Sequence, residues 1–200
     1  MPNANNISEY VAAAICGNMV QESTINPARW QGNATGHTWT DLNIGYGLGQ
    51  WTNTGGDTHG RLYKLHEYLS TNGFSDDDGD GQVSYIPVED VWYRDSTYPF
   101  NNLTEFLNST STDVIMLTHA WNKCWEGIHD SSWDTRVAYA AECLEYIRAH
   151  GTESKTWIKG NRTLTKNEWL NNSILVFQGL GDTFIGKKGM PVYMMCRRRY

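Results

Sequence analysis

No unbroken apolar run in this 200-residue chain is longer than seven residues, the length of Tyr10 to Cys16 and of Met190 to Cys196. A bilayer-spanning helix needs about 20, so membrane insertion is excluded and no membrane partner is expected. The opening Met-Pro-Asn-Ala-Asn-Asn carries no basic residue and leads into no long apolar stretch, so it does not read as a secretory signal. Positive charge is scarce through most of the chain. Residues 1–155 hold 8 Lys and Arg against 20 Asp and Glu, a balance of -12, whereas residues 156–200 hold 8 against 2, a balance of +6. The acidic part lacks the clustered cations that neutralise phosphates, which excludes nucleic acid as a partner. The basic end, closing on Arg197-Arg198-Arg199, reads as a solvated tail.

Cysteine is sparse and scattered. Cys16, Cys124, Cys143 and Cys196 form no C-x-x-C pair, so no zinc knuckle or redox motif is indicated. Cys124 and Cys143 fall on consecutive predicted helices and are the one pair whose spacing suggests a meeting; free, buried thiols are expected. Repeats and low-complexity stretches are absent too.

The chain does carry enough apolar material for one core, with 40% hydrophobic and 19% charged residues. Asn6 or Ser8 can cap a first helix to about Ser23, with Ile7, Val11, Ile15 and Met19 in i, i+4 steps, and Asn26-Pro27 ends it. The alternation of Gly45, Gly47 and Gly49 with Tyr46, Leu48 and Gln50 predicts a hairpin or extended loop between His37 and Thr52. Further helices are expected from Asp57 or Thr58 to Gly73, around Leu103 to Leu107, from Asp113 to Trp125 and from Trp133 to His150, with an acidic loop after Gly73. Thr165-x-x-Glu168 is a capping box ahead of one more amphipathic helix, stopped by Gly179. The expected organisation is a mainly α (α+β) domain over 1–155 with a small Gly-rich hairpin, then a basic C-terminal segment over 156–200 with one helix.

Nine tryptophans and eleven tyrosines exceed what a core of this size requires, and several lie in Gly- and Asn-rich segments. Flat rings on loops stack on sugar faces, and amides bond hydroxyls, so Trp30, Gln31, Tyr46, Gly47, Gln50 and Trp51 are candidates for a glycan cleft. A carboxylate stands near them. At 100° per residue Glu22 projects within about 20° of Val11 and Ile15 on the apolar stripe. A glutamate there is either salt-bridged to a group not adjacent in sequence or partly desolvated in a cleft, and desolvation raises a carboxyl toward the range a general acid needs. Glycosidic cleavage commonly uses two carboxylates in different environments. Asp41 is the preferred partner for Glu22, with Asp57 and Glu126 as alternatives.

The run Cys16-Gly-Asn-Met-Val-Gln-Glu22-Ser-Thr-Ile-Asn-Pro-Ala-Arg-Trp30-Gln, followed by Gly45-Tyr-Gly-Leu-Gly-Gln-Trp51-Thr, closely resembles the phage tail lysozyme family. Trp125-Glu126-Gly127 and Arg136-Val-Ala-Tyr-Ala140 are similar to that family's distal helices, so the resemblance spans roughly Ile7 to His150. It implies a lysozyme-like helical fold akin to goose-type lysozymes and lytic transglycosylases, with the cleft between the Glu22 helix and the hairpin. It further implies Glu22 as catalytic acid, Glu126 in the substrate site, peptidoglycan glycan strands as substrate, and no required cofactor. Action on the bacterial wall, from a virion tail alongside other tail proteins or after release from the host cytoplasm, follows from the same likeness. One departure is that the Leu164-Thr-x-x-Glu168 helix resembles the one with which family members begin, yet it follows the domain here.

Two activities besides hydrolysis stay open, namely lytic transglycosylation of the same bond and wall binding without catalysis. A cysteine amidase built on Cys16 is disfavoured, because the thiol sits in mid-helix among apolar residues. Asp76, Asp78, Asp80 and Gln82 match the first half of a calcium loop, with Gly81 at its sixth position, while the twelfth falls on Pro87. A structural calcium, where bound, is expected there.

Overall fold

The computed structural model describes residues 7–127 and 132–150, and two short strands at 157–159 and 162–164. Ser8 opens helix α1 (Glu9–Ser23) by accepting the Val11 N–H on its hydroxyl at 3.2 Å. Residues 11–20 of α1 are buried on every side, so this helix is the axis of the domain, not an amphipathic surface helix. Around it run the hairpin β1 (Gly45–Tyr46) and β2 (Trp51–Thr52), then α2 (Arg61–Thr71), α3 (Gly79–Glu89), α4 (Leu103–Leu107), α5 (Val114–Trp121) and α6 (Trp133–His150). The hairpin is antiparallel, with Gly45 opposite Thr52 and Tyr46 opposite Trp51. Strands β3 (Trp157–Lys159) and β4 (Arg162–Leu164) pair antiparallel after α6. The helix predicted from Thr165 to Gly179, the basic terminus and Cys196 lie outside the described residues.

A column of rings forms much of the core. Trp51 meets Trp125 edge-on at 5.6 Å, Trp125 stacks on Trp121 at 4.6 Å, and Phe106 carries the column on to Trp92 and Phe100. The surplus of aromatics that suggested a glycan cleft is therefore spent largely on the interior. The three described cysteines are free and buried, and Cys16 of α1 neighbours Cys143 of α6, not the Cys124–Cys143 pair that spacing suggested. Burial pushes the Cys16 thiol up, which removes it as a nucleophile.

The acidic segment does not stay a loop. Asp78 caps α3, its carboxylate accepting the Gly81 N–H at 2.9 Å, and Gly81 packs so tightly that a Cβ there would lie 2.6 Å from Leu69. Pro87 is tolerated because it sits on the exposed face near the helix end.

Helices α1 and α6 approach backbone to backbone. A Cβ on Gly17 would stand 2.5 Å from the backbone nitrogen of Ala140 and 2.7 Å from its Cα, so only glycine lets the two helices meet. Gly17→Ala should stabilise an isolated helix by about 1 kcal/mol, yet here it should destabilise the protein by about 2 kcal/mol through overpacking. Urea unfolding checks the sign, and a raised midpoint would refute this packing.

Candidate active site

Glu22 ends α1 just before two β-branched residues in the left-handed region, Thr24 at φ 56° and Ile25 at φ 54°. Such backbone is strained and persists only where its surroundings fix it. Here Ser23, fully buried, donates its hydroxyl to Leu48 O of the hairpin at 3.0 Å, and Ile25 is buried beneath. The hairpin thus locks the helix end that presents Glu22.

The partner of Glu22 is Arg136, on the first turn of α6. Its Nη2 donates to Glu22 Oε1 at 2.5 Å and its Nη1 to Glu126 Oε2 at 3.0 Å and to Asn18 Oδ1 at 3.1 Å, while Nε donates to Ser132 Oγ at 2.9 Å. Asn18 is itself fixed, donating to Ala14 O and Thr118 O. Glu126 also accepts from Asn122 Nδ2 at 2.8 Å, and Asn122 Oδ1 accepts the indole N–H of Trp133 at 3.1 Å. Both Asn122 and Glu126 belong to a π turn (Asn122–Glu126) that follows α5, in which Asn122 donates to Glu126 and Glu126 reaches Arg136. Exposure grades across the set: the side chains of Arg136 and Glu126 are 2% and 3% exposed, and that of Glu22 is 15%. Of the two sequence alternatives for Glu22, the salt bridge is the one realised.

Asp41, the preferred partner carboxylate, is engaged elsewhere. It accepts from Thr38 Oγ1 at 2.7 Å, from the Thr38 N–H at 3.2 Å and pairs with His37 at 2.9 Å. The Thr38 hydroxyl first, then His37 and the Thr38 amide, hold its carboxyl below the usual range, which makes it a poorer base. Asp57 closes its own turn by accepting the His59 N–H. Glu126 is the carboxylate that shares a cation with Glu22.

The candidate sugar-binding residues separate by burial. Tyr46, Gly47 and Trp51 are interior: a Cβ on Gly47 would meet the Gln82 amide at 2.5 Å, and the Trp51 indole donates to Glu89. A Cβ on Gly49 would lie 2.6 Å from the Trp125 ring, so these glycines admit protein, not a polymer. The Gln50 amide donates to Arg29 O and Gly47 O, and Gln31 accepts the Gly45 N–H, which gives both a part in holding the hairpin. Trp30 is half-buried against Trp39, Tyr46 and His37. A hollow of about 340 Å³ between the 38–40 loop and α2 includes Trp39, but Trp30 and His66 stack on that ring at 5.2 and 4.7 Å. A cleft of about 410 Å³, lined by Tyr93, Arg94, Asp95, Lys123, Glu126 and Gly127, touches the carboxylate network at Glu126.

The calcium-loop residues do not fit a cation. Asp76 pairs with His66 at 2.7 Å, Asp78 caps α3, and Asp80 lies in its first turn. Gln82 is fully buried, accepting from the Leu48 N–H and donating to Pro27 O and Asp76 O, so it staples the hairpin to the α1 exit and has no oxygen to spare. Among the described residues no group of three or more His, Cys, Asp or Glu is placed to hold a metal ion. Sequence reasoning missed Arg136, Asn18 and Asn122 as site residues. A signal for Arg136 existed, since it stands in register with Ala140, Cys143, Leu144 and Ile147 on α6, a charge on an inward stripe as Glu22 is.

A family model described as phage tail lysozyme matches residues 3–147, which takes in α1, the hairpin, the π turn and Arg136. No curated protein matches the chain. Among the described residues no helix is long and apolar enough to cross a membrane.

Arg136→Met leaves two carboxylates around an apolar side chain and should cost about 3 kcal/mol of stability, the scale for removing one partner of a buried pair. Urea unfolding measures it, and a loss under about 0.5 kcal/mol, the level of a surface substitution, would show that the pair is solvated. Calcium and a chelator should give the same melting temperature. A calcium-dependent rise would restore the acidic segment as an ion site.

Proposed function

The chain belongs to the phage tail lysozyme family, whose members degrade peptidoglycan and are associated with the phage tail, and from that premise we propose that it hydrolyses the bond between N-acetylmuramic acid and N-acetylglucosamine with Glu22 as general acid. The observation that carries this reading is the placing of Glu22 at the least buried point of a network that holds one guanidinium between two carboxylates. One guanidinium stands between two carboxyl groups, so one of them can serve as proton donor while the other keeps the ion pair. Glu22 delivers the proton to the leaving oxygen, and Arg136 stays paired with Glu126.

Charge development favours the same assignment. The sugar cation that forms as the bond breaks is stabilised by fixed negative charge that needs no reorganisation. Arg136 acts as a positioning residue, gripping Glu22 through one nitrogen and Glu126 through another. Glu126 replaces Asp41 as the companion carboxylate in this mechanism. The hairpin residues Tyr46, Gly47, Gln50 and Trp51 support Glu22 from behind, which leaves Trp30 as the ring of that group still available to a sugar. No metal or organic cofactor takes part. The site of action we propose is the bacterial wall, reached from the virion tail in company with other tail proteins.

Glu22→Gln keeps the shape of the side chain and removes its proton, so clearing of purified cell walls should fall by at least about a hundredfold, the range of general acid catalysis. Sedimentation of the variant with walls should be unchanged. Clearing by Glu22→Gln at the wild-type rate would remove Glu22 from the chemistry, and no clearing by the wild type would favour a wall-binding module. Mass spectrometry of the products should find reducing ends; anhydro ends would assign a lytic transglycosylase.

A further inference from the structure

The last carbonyls of a helix have no partner within it, and in the π turn those of Cys124 and Trp125 are met by other segments. The Tyr93 N–H donates to Cys124 O at 2.5 Å, and Nη1 of Arg61, the first residue of α2, donates to Trp125 O at 3.4 Å. The next residue in the turn is Glu126. Arg61 is itself gripped. Its Nε and Nη2 donate to Glu89 Oε1 and Oε2 at 2.6 and 3.0 Å, and its Cζ lies 4.6 Å from the centre of the Trp125 ring, a cation–π contact. Glu89, whose side chain is 4% exposed, also accepts the Trp51 indole N–H at 3.1 Å. The fork on Glu89 and the ring of Trp125 thus fix the guanidinium, and its remaining nitrogen reaches the turn.

Packing alone does not call for a cation in this place, since a buried ion pair adds little net stability over apolar side chains of similar volume. A positive charge at the C-terminal end of a helix complements the carbonyls there, and it also acts on a carboxylate in the same turn. Besides Glu89, the charge of Arg61 acts on Tyr93 and Glu126. Glu126 therefore feels two guanidinium groups, Arg136 bonded to its side chain and Arg61 bonded to the residue before it. Glu22 bonds Arg136 at the more open end of the network. The other charged or titratable groups near Glu126 among the described residues are Glu22 across Arg136, Lys123 in its own turn, and Tyr93, Arg94 and Asp95 along the adjoining cleft.

We propose that Arg61 is a positioning residue of the carboxylate pair: it clasps the turn at Trp125 and sets a charge beside Glu126, so that Glu126 keeps its negative charge and Glu22 carries the proton. The proposal rests on the reading that Glu22 is the general acid. Without such a bias, the proton is shared between two carboxyl groups joined by one guanidinium, and a proton on Glu126 lies at the buried end of the network. An Arg61 with a structural role alone would tie α2 to Glu89 of α3 and leave the proton distribution unaltered.

Three variants separate these roles. Arg61→Met removes the cation, Glu89→Gln removes the anion that offsets it, and Arg61→Lys keeps the charge without the fork. Each is placed in Glu22→Gln protein, where the Glu126 carboxyl titrates without its coupled partner, and is followed by carbon NMR. The titration should move to higher pH with Arg61→Met and to lower pH with Glu89→Gln, and stay near its starting point with Arg61→Lys. Both of the first two variants break one ion pair and should melt lower, so damage to the fold cannot produce opposite shifts. With Glu22 intact, Arg61→Met should lower kcat on soluble glycan strands about tenfold or more at unchanged KM, the factor by which a neighbouring opposite charge alters the ionisation of a carboxyl. Arg61→Lys should restore most of that rate. Titrations that coincide in all three variants, or that move the same way in Arg61→Met and Glu89→Gln, would overturn the proposal, as would a rate that Arg61→Lys fails to restore. Should Arg61→Met not fold, the direction of the Glu89→Gln shift decides. If the wild type cuts no glycan, the reading of Glu22 as general acid fails, and the titrations still decide whether Arg61 governs the charge of Glu126.

Discussion

The structure turns on a positive charge held out of water. Arg136 is almost fully buried, and a guanidinium in that position carries a desolvation cost of several kcal/mol that only close, multiple partners offset. Among the described residues such bonds run to Glu22, Glu126, Asn18 and Ser132. The partners come from three places: two from α1, one from the π turn, one from the residue that precedes α6. The Arg136 side chain therefore fixes the relative placement of the elements that form the site. Its reach depends in turn on Gly17, because α6 can lie against α1 only where no side chain intervenes. Gly17 meets α6 at Ala140, one turn beyond Arg136, so one glycine and one arginine set the geometry of both carboxylates.

A balanced ion pair would serve packing alone. The second carboxylate changes the chemistry, since the set then carries an excess of negative charge at a point where solvent reaches Glu22 and a cleft reaches Glu126. Buried ion pairs contribute little net stability compared with an apolar core of similar volume, so their retention calls for another reason. Proton transfer supplies one. The left-handed Thr24 and Ile25 agree with it, because strained backbone next to a carboxylate is tolerated where exact placement of that carboxylate matters.

Much of this was legible in sequence where the signal is local. Ser8 as cap, the run of α1, the extent of α6 and the position of Glu22 all follow from periodicity and capping chemistry. Helix α3 was not legible, because Asp-x-Asp-Gly-Asp-Gly serves equally as half an ion loop and as a capped helix start. What decides between them is tertiary: Gly81 against Leu69 and Phe74, and Gln82 against three backbone groups of other segments. The aromatics misled for a related reason. Clustering in sequence at Trp30, Trp39, Tyr46 and Trp51 says nothing about which faces remain open, and here Trp51 meets Trp125 while Trp39 is stacked on by both His66 and Trp30. Asp41 lay near the hairpin in sequence, yet its turn partners Thr38 and His37 were nearer still.

The glycines of the hairpin carry the last step. Had Gly45, Gly47 and Gly49 faced solvent, the substrate would lie along the hairpin. Instead Gly49 receives Trp125 and Gly47 receives Gln82, so the hairpin is pressed between α3 and the π turn. Trp125 is thereby held on one face by Trp51 and approached on another by the Arg61 guanidinium at 4.6 Å. Its neighbours in the turn, Glu126 and Gly127, are left to line the opposite side, where Tyr93 closes on them. Packing of the hairpin against Trp125 is therefore what turns Glu126 toward both Arg136 and the cleft, and it makes the Gly-rich segment a support for the site instead of its floor.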